Sequence, residues 1–151
     1  MSLKDAGQIE TVIRRNVGSP GQPAFRVLAV GSAHADICLP YDEGMTRLGD
    51  TISGPVLMTA ADAAMYAAII AHVPDGEYAV TSHFHIDFLR RPRPDGQWVA
   101  HGHSIVDTPE VRDGRDRGFE RREEVLRFRV STALAERRVS HTIHSSHIQS
   151  C

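Results

Sequence analysis

The sequence predicts an α+β domain in which an antiparallel sheet wraps around one long, largely buried helix. Three observations carry this expectation. A breaker-free apolar segment occupies the middle of the chain, strand-like alternation stands on both sides of it, and 151 residues is the size of one domain. A chain of that length buries enough surface to fold without a disulfide or a structural metal.

In order along the chain, Ile9, Val12, Ile13 and Val17 recur at helical spacing, giving a short amphipathic helix within an N-terminal extension, residues 1–20. Gly18-Ser19-Pro20-Gly21 breaks it. Two strands follow, Phe25 to Val30 and Ala33 to Leu39; in the second, Ala33, Ala35, Ile37 and Leu39 alternate with His34, Asp36 and Cys38. Ser53 is placed to cap the central helix, Gly54 and Pro55 suit its first turn, and Val56 to Val73 continues to the stop at Pro74-Asp75-Gly76. Apolar residues surround this helix on nearly every side, which predicts burial, and it is too short and interrupted for a membrane span.

Strands resume with Tyr78 to Leu89, where Val80, Phe84, Ile86 and Phe88 are expected on one face and Thr81, His83, His85 and Asp87 on the other. A proline-rich turn over 90–96 leads to a strand over Gln97 to Val106. Leu126, Phe128 and Val130 mark another, and Val139 to Gln149 a last one. The charged stretch 107–122 reads as a loop. No repeat or long linker divides the chain, so residues 1–151 are expected to form one domain.

Composition excludes several roles. A net charge of −2 argues against a nucleic-acid binder. The two cysteines, Cys38 and Cys151, fit no disulfide or zinc spacing, which suits a reducing, cytoplasmic setting. Met1 to Lys4 shows no apolar export-type stretch, and no membrane partner is expected.

Asp62 is the most informative residue, the only charged side chain between Asp50 and Asp75 and set in the middle of the apolar helix. Thr59, Asp62 and Tyr66 fall on one stripe and make a polar seam. A carboxylate there must be paired, solvated by a cleft or raised in pKa. The plainer reading is a structural Asp bonded to loop backbone. At the helix start, Ser53-Gly54 offers a hydroxyl and an unhindered N–H at the positive end of the dipole, a geometry suited to an oxyanion; an ordinary capped helix would look the same.

The segment Gly49 to Tyr66, with Ser53-Gly54-Pro55 opening the helix and Ala61-Asp62 within it, resembles the central-helix motif of hot-dog thioesterases of the phenylacetate-degradation (PaaI-like) type. Ala79-Val80-Thr81 with Ile86 to Pro92 looks like their next strand, and Val139-Ser140-His141-Thr142 like their last. The chain departs from the motif at Ser53, where the family has histidine, and at Pro55, where it has a second glycine with an N–H to donate. The resemblance implies a hot-dog fold and hydrolysis of an aryl or short- to medium-chain acyl-coenzyme A. It implies Asp62 as nucleophile or general base, with Gly54 and Ser53 at the thioester carbonyl and Arg90 and Arg91 on the coenzyme A phosphates. Thr59 and Tyr66 would attend Asp62. Coenzyme A belongs to the substrate, so no bound cofactor or metal is implied, and the family's habit is a homodimer or homotetramer.

Nine histidines are many for a chain of this length. His83-Phe84-His85 and His101-Gly102-His103 are His-x-His pairs, expected on neighbouring strands, and each pair has the spacing to share a metal. This supports a rival, a metal-dependent β-barrel enzyme, though no Glu or Asp follows either pair at a spacing that would complete a familiar barrel site. His141, His144 and His147 do not share one strand face. A further alternative keeps the hot-dog fold without hydrolysis, as an acyl-coenzyme A binder or hydratase.

Overall fold

A computed structural model describes residues 5–17, 25–31, 34–94, 98–103, 124–134, 137–142 and 146–150. Among these residues, two α-helices and nine strands follow one another as α1 (Ala6–Asn16), β1 (Arg26–Val30), β2 (His34–Leu39), β3 (Thr46–Arg47), β4 (Thr51–Ile52), α2 (Gly54–His72), β5 (Ala79–Phe88), β6 (Trp98–His103), β7 (Glu124–Leu134), β8 (Arg137–Thr142) and β9 (Ser146–Ser150). The main sheet is antiparallel, in the order β1-β2-β6-β9-β7-β5, with β8 beside β7. The expected loop over 107–122 lies outside the described residues.

The long helix is where the sequence places it. By length and composition α2 would be able to cross a membrane, yet most of its apolar surface is buried inside the protein. Leu57, Met65 and Ile69 fill the core together with Ala35, Ile37 and Leu39 of β2, and a run of alanines lets the sheet approach closely. Contact is tightest at Gly102 of β6, where a Cβ would stand 2.5 Å from the Ala64 carbonyl oxygen. Glycine there lets strand backbone rest directly on helix backbone.

α1 closes one side of this core. Its start carries a capping box: Asp5 Oδ1 accepts from the Gln8 N–H at 2.8 Å, and Gln8 Oε1 accepts from the Asp5 N–H at 3.1 Å. Ile9 and Ile13 are buried one turn apart, and Glu10 accepts from the Val27 N–H at 2.9 Å, satisfying a donor of edge strand β1.

Four expectations are corrected. β5 and β6 are not neighbours, because β9 and β7 lie between them; the chain between β5 and β6 is tied to β4 through Pro92 rather than turning back as a hairpin. The last strand is two, β8 and β9. The strand expected from Leu126 to Val130 extends to eleven residues as β7. The alternation along β5 slips by one residue, since Thr81 pairs with Thr132 and His83 with Ser131, leaving position 82 as the bulged residue. A bulge reverses the facing of everything before it. Val80 is therefore 57% exposed instead of in the core, and Thr81 turns to the helix side.

Gly102→Ala is expected to destabilise the fold by about 1–3 kcal/mol, the usual cost of overpacking against backbone that cannot move aside. Urea unfolding of the two proteins measures it, and equal midpoints would mean that β6 and α2 separate at little cost.

Candidate functional site

Two clefts open along α2. The first, about 550 Å³, surrounds the helix N-terminus and is lined by Gly54, Leu57, Arg47, Leu48, Phe88, Arg90 and Arg91 among others. Its shape follows from a few hydrogen bonds. The Pro92 carbonyl accepts from the Ile52 N–H at 3.3 Å and from Thr51 Oγ1 at 2.9 Å, while the Ser53 N–H donates to Met45 O at 2.8 Å. These bonds fasten the segment after β5 beside the strand that enters α2. Arg90 and Arg91 are thereby brought to the same cleft as Gly54.

Ser53 occupies the N-cap position with extended backbone, as expected, but its side chain makes no capping bond. Pro55 at the second helical position removes one N–H that a cap would hold. The first intrahelical bond is from the Leu57 N–H to Ser53 O at 3.3 Å, so the Gly54 N–H belongs to the unpaired donors of the first turn. Phe88 lies over Gly54, with its Cζ 3.4 Å from where a Cβ would be.

The second cleft, about 380 Å³, holds Asp62, with Tyr66, Asn16, Tyr78 and Thr81 in its walls. Asp62 is half-buried, and burial raises its pKa above the ordinary carboxylate range, partly opposed by a hydrogen bond from Thr81. That bond, Thr81 Oγ1 to Asp62 Oδ1, measures 3.0 Å. The hydroxyl that reaches the carboxylate thus comes from the bulge in β5, a partner the sequence pattern does not reveal. Only an irregularity in strand pairing puts Thr81 on that face, and no residue motif announces it.

The stripe expected around Asp62 is differently occupied. Thr59 Oγ1 donates to Pro55 O one turn back at 2.9 Å. Tyr66 shares the Asp62 cleft, and its hydroxyl donates to Glu77 O at 2.6 Å and accepts from Asn16 Nδ2 at 3.0 Å. Gly54 and Asp62 line different clefts. Eight residues separate them, about 12 Å along the helix axis. Among the described residues, no three His, Cys, Asp or Glu side chains are grouped to hold a metal. His83 and His85 are exposed, and His85 Nε2 lies 3.3 Å from Asp87 Oδ2.

Residues 49–104, from the β3–β4 turn through β6, match the family model described as thioesterase superfamily. Zebrafish thioesterase superfamily member 2 superposes with a TM-score of 0.58 at 13% identity, over 97% of this chain and 98% of that one. A mutant thioesterase from Pseudomonas aeruginosa gives 0.59 at 13% identity, covering 99% and 97%. A thioesterase from Haemophilus influenzae gives 0.58 at 12% identity, covering 99% and 93%. The fold is the hot-dog fold. No curated protein matches the chain. At these identities the hot-dog likeness is one of fold, and Gly54, Asp62, Thr81, Arg90 and Arg91 all lie within the residues that the family model matches.

The raised pKa of Asp62 has a consequence for stability. The native state holds its proton to higher pH than the unfolded chain does, so stability falls as pH rises from the ordinary value to the raised one. Asp62→Asn keeps an acceptor for Thr81 and removes the charge. Its melting temperature is expected to exceed that of the unmodified protein at pH 7.5, with the gap closing near pH 4. Thermal unfolding at both pH values checks this, and a variant less stable at pH 7.5 would show that the ionised carboxylate is held favourably.

Proposed function

We propose that the protein is an acyl-coenzyme A thioesterase of the PaaI-like type, acting on aryl or short- to medium-chain acyl groups. The observation that carries the reading is a carboxylate of raised pKa on the central helix of a hot-dog fold, hydrogen-bonded and open to a cleft. The same helix presents an unpaired N–H at its positive end, beside Arg90 and Arg91. The match to the thioesterase superfamily over residues 49–104 supports the reaction class.

In this reading the thioester carbonyl rests against the Gly54 N–H, with the Ser53 hydroxyl adjacent. Asp62 either adds to the carbonyl carbon or takes a proton from the water that does. The oxyanion formed is held at the helix start. Its collapse breaks the C–S bond and releases coenzyme A thiolate, which takes up a proton. The water route leaves the free acid directly. The nucleophilic route leaves an Asp62 acyl anhydride, which water then hydrolyses to the free acid and the Asp62 carboxylate. Arg90 and Arg91 hold phosphates of the coenzyme A moiety. The reaction asks for no bound cofactor, and the setting is cytoplasmic.

Because Gly54 and Asp62 stand about 12 Å apart along one helix, the reading joins Gly54 of one protomer with Asp62 of its partner. β5 supports such pairing. It is a ten-residue strand at the edge of the sheet, and Val80, Phe88 and the adjoining Leu89 are 57%, 50% and 48% exposed. An exposed apolar edge of that length invites a second strand. Sedimentation velocity is expected to show a dimer or tetramer of the 16.6 kDa chain; a strict monomer would leave the two halves of the site unjoined and overturn the shared-site form.

Thiol release from a panel of aryl and short- to medium-chain acyl-coenzyme A thioesters tests the reaction. Wild type is expected to release thiol and Asp62→Asn to lose about a hundredfold, the scale of a missing general base. The rate should climb with pH through the raised pKa of Asp62, and Thr81→Val, which removes the bond that lowers that pKa, should move this limb to still higher pH. A folded wild type that binds acyl-coenzyme A without releasing thiol would make the protein a binder instead.

A further inference from the structure

The cleft that holds Asp62 is crossed by a tie between three separate parts of the chain. Tyr66 stands four residues after Asp62, one turn and about 6 Å further along α2 on the same side of the helix. Helical side chains lean toward the helix N-terminus, so the Tyr66 ring covers the turn that carries Asp62. Its hydroxyl donates to Glu77 O at 2.6 Å and accepts from Asn16 Nδ2 at 3.0 Å. Asn16, Tyr66 and Glu77 all line the cleft.

Both ends of the tie are fixed. Asn16 is the last residue of α1, which the buried Ile9 and Ile13 hold to the core. Glu77 lies in the turn between α2 and β5, where the Gly76 N–H donates to Val73 O and the Tyr78 N–H to Asp75 O, each at 3.0 Å. That turn rests on the helix itself, since a Cβ at Gly76 would stand 2.8 Å from Ile69 O. A buried ring whose hydroxyl is satisfied from two rigid sides is held in one place.

We propose that Tyr66, fastened by Asn16 and the Glu77 carbonyl, sets the upper limit on acyl-chain length, so that the cleft takes short acyl groups and rejects long ones. The inference rests on the proposed reading of this cleft as the seat of the acyl group. An acyl chain whose carbonyl carbon is at Asp62 lies against Val17, Met65, Ala79 and Val80 and meets the Tyr66 ring within one helical turn. A cavity of about 380 Å³ is near the small end of ligand pockets, as such a limit requires. Tyr66 is the specificity-determining residue, and Asn16 is a positioning residue that acts through it.

The test measures kcat/KM for a straight-chain series of acyl-coenzyme A thioesters from butanoyl to dodecanoyl. Wild type is expected to favour butanoyl. In Tyr66→Ala the dodecanoyl-to-butanoyl ratio should rise on the order of tenfold or more, the scale on which a hydrophobic pocket discriminates methylenes. Asn16→Ala, at an exposed position, should raise the same ratio by a smaller factor and decides the matter if Tyr66→Ala does not fold. Loss of a merely structural bond would lower both rates together and leave the ratio alone. A wild type that prefers dodecanoyl, or a ratio unmoved in the folded variants, overturns the length limit and leaves the hydrolysis reading standing. If no thioester releases thiol, hydrolysis fails alone, and the same ratio read from calorimetric dissociation constants decides the limit. No binding of any thioester in the series overturns both.

Discussion

Everything near Asp62 depends on one constraint: a charged side chain sits on a helix whose other faces are needed for the core. Ala61, Ala63, Ala64 and Met65 around it are buried at 2% exposure or less. A carboxylate in such surroundings is tolerated only along a seam where water and hydrogen-bond donors can reach it. The cleft between α2, the end of α1 and the start of β5 is that seam. Burial there makes the charged form costly and raises the pKa, while the Thr81 hydroxyl partly opposes the rise.

The bulge in β5 supplies what regular pairing would not. With unbroken alternation, Thr81 would share the outer face of His83 and His85, and Val80 would sit beside the carboxylate. The extra residue at position 82 exchanges them, so a hydroxyl meets Asp62 and a valine meets solvent. One inserted residue thus turns a merely desolvated acid into one with a fixed hydrogen-bond partner, the use for which bulges recur beside functional sites. Among the described residues β5 is the last strand of the sheet, and the exposed valine adds to the apolar surface there.

The central helix, its stop at Pro74-Asp75-Gly76 and the inward face of β2 were legible because each rests on local periodicity or on residues that restrict the backbone. The helix runs Gly54–His72, starting after the Ser53 cap as expected and ending one residue before the expected Val73. Strand order was not legible. The connection after β5 reads as a simple turn, yet a carbonyl at Pro92 ties it to β4, and that tertiary bond carries the chain across the end of α2. For the same reason Arg90 and Arg91 were legible as charges but not as neighbours of Gly54. The capping box of α1 was legible in principle, since Asp5 and Gln8 stand at capping-box spacing ahead of the apolar stripe.

The departures at Ser53 and Pro55 work together. A serine at an N-cap ordinarily spends its oxygen on an N–H of the second or third helical residue. Pro55 deletes the first of these donors, and the Ser53 side chain makes no capping bond. The helix start therefore keeps a serine hydroxyl that does not cap it, next to Gly54, whose N–H has no partner within the helix and which lines the cleft that Arg90 and Arg91 share. A histidine and a second glycine would offer a ring and another backbone donor. This chain offers a hydroxyl and a rigid first turn, since proline fixes the backbone angle that the helix requires. On the proposed reading, the carbonyl oxygen is then held by one backbone donor and one side-chain donor, a different division of the same task at the same end of the dipole.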